Sequence, residues 1–70
     1  MDFEKRIDEN YSYLTATDRL MVQEIRQNKE LVRNMNSTQL ARHLGVSRTT
    51  LVRMLKKLGI STYAEFQLLL

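Results

Sequence analysis

The apolar positions of this chain fall into short stripes at helical spacing, and the clearest two lie between residues 37 and 60. Leu40, Ala41 and Leu44 form the first. Leu51, Met54, Leu55 and Leu58 form the second, at i, i+3, i+4 and i+7. Gly45-Val46-Ser47 lies between them. Glycine enters the left-handed region without steric cost, so Gly45 ends the first helix, and the Ser47 hydroxyl caps the next. Val46 is placed to tuck beneath the turn. Ala41 is the small side chain that two steeply crossing helices need at their closest approach. The pattern predicts helices over residues 37–44 and 48–58, joined as a helix-turn-helix. Gly59 follows as the terminator of the second helix, with Ile60 folding back on Leu55 in a Schellman ending.

The flanking stretches carry weaker versions of the same signals. Phe3, Ile7, Tyr11 and Leu14 share one face of a first helix over residues 2–14, whose early acidic side chains suit the helix dipole. Thr15 with Asp18 offers a capping box for a second helix, expected to bury Ala16, Leu20, Met21 and Ile25 and to end near residue 27. Leu14 staples onto its first turn. Residues 28–35 form a connector with one short helix, where Leu31, Val32 and Met35 close the back of the core. Asn36 with Gln39 makes a fuller capping box ahead of residues 37–44. Thr62 with Glu65 opens a last helix whose Tyr63, Phe66 and Leu69 face inward. There is no proline, there are two glycines, and no β-branched run alternates with polar residues. The expected fold is all-α, a small five-helix bundle containing a homeodomain-like helix-turn-helix.

Seventy residues allow one domain, whose thin core supplies roughly 3–5 kcal/mol. The absence of cysteine rules out disulfides and thiolate metal sites, and fits a reducing cytoplasm. Asp2, Glu4, Asp8 and Glu9 interrupt any signal-peptide run, and nothing approaches the ~20 apolar residues of a membrane span. Leu68-Leu69-Leu70 is an apolar terminus, expected of a domain cut from a longer chain or docked on a partner. With the face of Phe3 and Ile7 it is the expected contact between protomers.

Charge adds direction to this picture. The net charge of +3 is modest, but residues 1–30 hold five basic and seven acidic side chains, whereas residues 31–70 hold six basic ones against Glu65 alone. A single-sign face on the half with the helix-turn-helix is the footprint of a polyanionic partner, here double-stranded DNA. With the apolar stripe buried, the second motif helix presents Arg48, Thr49, Val52, Arg53 and Lys56, and its N-terminal end carries Ser47 and Thr50. Arginine forks onto guanine O6 and N7, threonine offers a hydroxyl to a base edge or phosphate, and Val52 meets a thymine methyl. Lys56 and Lys57 are placed for phosphates, as are Ser37 and Thr38 at a helix N-terminus. A merely solvated basic face is the plainer account. It is weakened because no acidic residue lies between Leu31 and Ala64 to pair with these cations. No enzymatic constellation is visible. His43 is the single histidine, a surface residue or at most a phosphate contact, with no ligand at metal spacing. No glycine-rich phosphate loop exists, and no cofactor is expected.

Leu14-Thr15-Ala16-Thr17-Asp18, Leu40-Ala41 with Gly45-Val46-Ser47, Thr50-Leu51-Val52-Arg53-Met54, Leu58-Gly59-Ile60, Tyr63 and Glu65-Phe66 form one further pattern. Over residues 11–70 it resembles the N-terminal DNA-binding domain of the RpiR family of bacterial transcriptional regulators. Ser37 and Met54 depart from it, standing where an aliphatic and an aromatic residue are usual. The resemblance implies sequence-specific DNA binding by a homodimer or larger oligomer that acts as a repressor or activator of carbohydrate metabolism. It also implies a phosphosugar effector, sensed by a C-terminal domain absent here. The alternative from another class is a helical protein-interaction module whose basic face meets an acidic protein.

Overall fold

The computed structural model describes residues 2–70. Its described residues form six α-helices: α1 (Phe3–Asn10), α2 (Ala16–Gln27), α3 (Lys29–Arg33), α4 (Ser37–Leu44), α5 (Arg48–Lys57) and α6 (Tyr63–Leu69). The short helix expected in the connector is α3, and counting it brings the expected five helices to six. The first helix is also shorter than expected, since residues Tyr11–Tyr13 tighten into a 3-10 turn.

Local chemistry sets most of the boundaries. Asp2 accepts the Lys5 N–H and starts α1. At α2 the box is reciprocal: Thr15 Oγ1 accepts the Asp18 N–H at 3.1 Å, and Asp18 Oδ2 accepts the Thr15 N–H at 2.9 Å. Asn36 and Gln39 do the same at α4, at 2.8 and 2.9 Å. Thr62 caps α6 by accepting from Glu65 N–H, but the Glu65 carboxylate turns instead toward Arg6, 4.0 Å away. Gly45 and Gly59, at φ 71° and 74°, are the described positive-φ residues. Past each of them a 6→1 bond closes the helix, Val46 N–H to Ala41 O and Ile60 N–H to Leu55 O, both 3.0 Å.

The core gathers one face from every helix. Phe3 and Ile7 come from α1, Met21, Val22 and Ile25 from α2, and Val32 from α3. Leu40 and Ala41, Leu51, Met54 and Leu55, and Phe66 come from α4, α5 and α6, with Leu14, Leu58 and Ile60 from the joins. Phe66 meets Phe3 edge-on at 5.5 Å and Tyr63 at 5.3 Å, so the two ends of the chain share one aromatic cluster. The Tyr63 hydroxyl donates to Met35 O at 2.7 Å, and Gln67 Nε2 donates to the same carbonyl at 3.1 Å. These bonds seat α6 against the loop that precedes α4.

Several inward expectations are corrected. Leu20 is 67% exposed and Ala16 is exposed as well, because α2 turns Asp18 and Val22 inward in their place. Leu31 faces solvent, since a helix as short as α3 offers only Val32 to the core. Tyr11 is exposed, its ring covered by the Arg19 guanidinium at 4.2 Å, which also donates to Tyr11 O. Phe3 and Ile7 lie in the core and cannot serve a contact between protomers.

Asp18 is the described buried residue of the polar or charged class. Burial alone pushes its carboxyl up. The Lys57 ammonium, 2.6 Å from Oδ2, and the bonds with Thr15 outweigh that and hold it below the ordinary carboxylate value. A lowered folded-state value means the contribution is complete above the unfolded-state value of about 4 and is lost as pH falls through the folded one. The melting-temperature gap between the native chain and Asp18→Asn should therefore close on acidification from about pH 5 to pH 2. A gap that stays constant over that range would show that the carboxylate charge is not what matters there.

Candidate nucleic-acid interface

The two central helices are built by the turn between them. Gly45 ends α4, and Ser47, with extended backbone at φ −75° and ψ 157°, starts α5 by accepting the Thr50 N–H at 3.1 Å. Ser47 Oγ in turn donates to Thr50 Oγ1 at 2.9 Å. Ser47 Oγ is thus engaged both as donor and as acceptor in the cap of α5, whereas Thr50 Oγ1 accepts there and keeps its own proton to donate. Leu51, Met54 and Leu55 turn into the core, and no other pair of helices packs as extensively as α4 and α5.

The opposite side of α5 is left to solvent. Arg48, Thr49, Arg53 and Lys56 are exposed and Val52 is half-buried, and these five side chains line one shallow surface depression. At the start of α4, Thr38 is exposed and Ser37 half-buried. Lys57 does not join the group. It lies on the flank of α5 that meets α2, half-buried, with its ammonium held by Asp18. The phosphate contact expected of it would have to break this ion pair. His43 is likewise engaged, Nε2 lying 3.1 Å from Glu24 Oε2, which also accepts from Asn28 Nδ2.

Ion pairing then divides the cations. Arg26 and Lys29 pair with Glu4 at 2.8 and 3.6 Å, and Arg6, His43 and Lys57 are engaged as described. Arg19 covers Tyr11, and Arg33 donates to the Leu70 carbonyl. Among the described residues the side chains of Arg42, Arg48, Arg53 and Lys56 have no ion-pair, hydrogen-bond or ring partner, and outside α4 and α5 Lys5 alone of the lysines and arginines shares that condition. Arg42 is an addition to the residues singled out from the sequence. The signal for it was already present, in the stretch without acidic residues that surrounds it. Cations left unpaired and gathered on one motif raise the local potential where an anionic polymer can lie.

The pattern that defines helix-turn-helix domains of the rpiR family matches residues 1–70, the whole chain. This chain belongs to that family. It is 33% identical over 70 residues to the HTH-type transcriptional regulator GlvR of Bacillus subtilis (strain 168), an alignment covering all of this chain and 28% of the relative. The chain therefore spans 28% of that regulator's length. No solved structure matches it. Membership makes the chain a helix-turn-helix domain of transcriptional regulators, a DNA-binding class and not an enzyme family. No described helix is long and apolar enough to cross a membrane.

Proposed function

We propose that the chain reads specific DNA sequence in the major groove through α5, as the N-terminal domain of a longer, dimeric regulator. Arg48, Thr49, Val52 and Arg53 meet base edges, while Lys56, Arg42, Ser37 and Thr38 hold phosphates. The observation that carries this reading is the set of unpaired cations on α4 and α5, beside a Val52 that offers an apolar edge. A helix-turn-helix puts its second helix in the groove while its first crosses the backbone, a division that these two sets follow except for Lys56, near the C-terminal end of α5. One such helix reads only a few base pairs. The regulator therefore binds two half-sites about 34 Å apart, or a multiple of that. Its setting is the bacterial cytoplasm, and its subject is carbohydrate metabolism, with a phosphosugar sensed outside this domain. A relative named as a transcriptional regulator supports the first part of this reading, and the family resemblance supports the last.

Selection of duplexes from a genomic-fragment pool with the purified chain tests the proposal, followed by titration of the recovered and scrambled sequences at several salt concentrations. Arg53→Ala should cost about 1–3 kcal/mol on the selected site and much less on the scrambled one, relaxing preference at a guanine. Lys56→Ala should weaken both alike and reduce the salt slope by about one contact. Selection that enriches no sequence, with an acidic protein bound more tightly than any duplex at the same salt concentration, would favour the interaction module.

A further inference from the structure

We infer that Arg6, on a helix outside the motif, is a positioning residue for the recognition helix. Its Nη1 donates to the carbonyls of Leu58 and Gly59, at 3.2 and 2.7 Å, across 52 and 53 residues of sequence. The Schellman bonds already satisfy Leu55 and Lys56 at the end of α5, each accepting an N–H from residues 58–60. The carbonyls of Leu58 and Gly59, at and just past the C-cap and near the negative end of the helix dipole, would otherwise turn to water. A guanidinium is suited to them, being permanently charged and forked. Gly59 serves the contact twice. Its φ of 74° turns the chain, and a Cβ there would come within 3.1 Å of Arg6 Nη1.

The consequence reaches the reading face because of where the anchors of α5 lie. Leu51 seats its first half against α4, and Lys57 ties its flank to Asp18 of α2. Arg6 adds a tie from α1 at the far end. Met54 and Leu55 seat α5 in the core as well, so Arg6 is not what holds the helix in place; it sets how the C-terminal end of α5 sits against α1. Arg53 lies one turn from that end, and its reach to a base edge changes with the angle at which the end is held. This inference rests on the reading of α5 as the helix that meets the groove.

The test uses the intact chain with Arg6→Met and Arg6→Lys, and with Glu65→Gln, which removes the 4.0 Å pair of Arg6 and leaves the carbonyl contacts. The quantity measured is the ratio of dissociation constants on scrambled and selected duplexes. Partial unfolding divides both affinities by the same factor, and a lost phosphate contact weakens both alike, so neither moves the ratio. Arg6→Met should lower it about tenfold, the worth of one good base contact. Arg6→Lys should lose less, and Glu65→Gln should leave the ratio unchanged. Absence of any preference in the native chain would overturn the proposed function and this inference together. A native preference that survives Arg6→Met would overturn this inference alone.

Discussion

Leu51→Ala should leave the chain largely unfolded at physiological temperature. Leu51 is 0% exposed and sits on the face of α5 that packs toward α4, within a core of fifteen buried apolar residues. Truncating such a leucine typically costs about 2–5 kcal/mol, the lost transfer energy plus the cavity left behind. A domain of this size holds only about that much in total. The volume-conserving Leu51→Met should cost under about 1.5 kcal/mol and keep a cooperative transition. Urea unfolding followed by circular dichroism measures both. An alanine variant with a native midpoint that nevertheless failed to bind DNA would show that the position acts at the interface and not in the core.

Asp18→Ala should be the second most damaging change, and more damaging than Lys57→Ala. The Asp18 carboxylate has two duties: it accepts the Thr15 N–H that closes the α2 capping box, and it holds the Lys57 ammonium. Removing it leaves a half-buried lysine without its counter-charge and one orphan N–H. That should cost about 3 kcal/mol, toward the low end for a broken buried pair, because Lys57 keeps some contact with water. Lys57→Ala leaves Asp18 its bonds with Thr15 and should cost about 1–2 kcal/mol. If the lysine variant proved as stable as the native chain, the pair would be a bystander, and Lys57 would return to the candidate phosphate contacts.

The two variants also bear on affinity for DNA. An ammonium already committed to Asp18 releases no counterion on binding, so Lys57→Ala should leave the salt slope unchanged once the folded fraction is accounted for. On the proposed reading the salt slope should therefore follow Arg42, Lys56 and their neighbours, not the formal charge of the motif.

Local signals carried most of the architecture. The caps at Thr15, Asn36, Ser47 and Thr62, the terminators Gly45 and Gly59, and the stripes from Leu40 to Leu58 are all legible in the sequence. Each depends on groups within about one helical turn of one another, where geometry is fixed once a helix forms. The outward set of Arg48, Thr49, Val52, Arg53 and Lys56 follows from the same periodicity, because a residue opposite a buried stripe has nowhere else to point. The choice between Leu20 and Val22 on α2 was not legible, nor was the burial of Asp18. A polar residue adds nothing to an apolar stripe, yet this carboxylate turns inward because a lysine 39 positions away comes to meet it. The engagement of Lys57, the exposure of Tyr11 and the reach of Arg6 to the end of α5 share that origin. Tertiary structure decided them, because whether a long cationic side chain meets water, a carboxylate or a carbonyl depends on which distant helix is packed beside it.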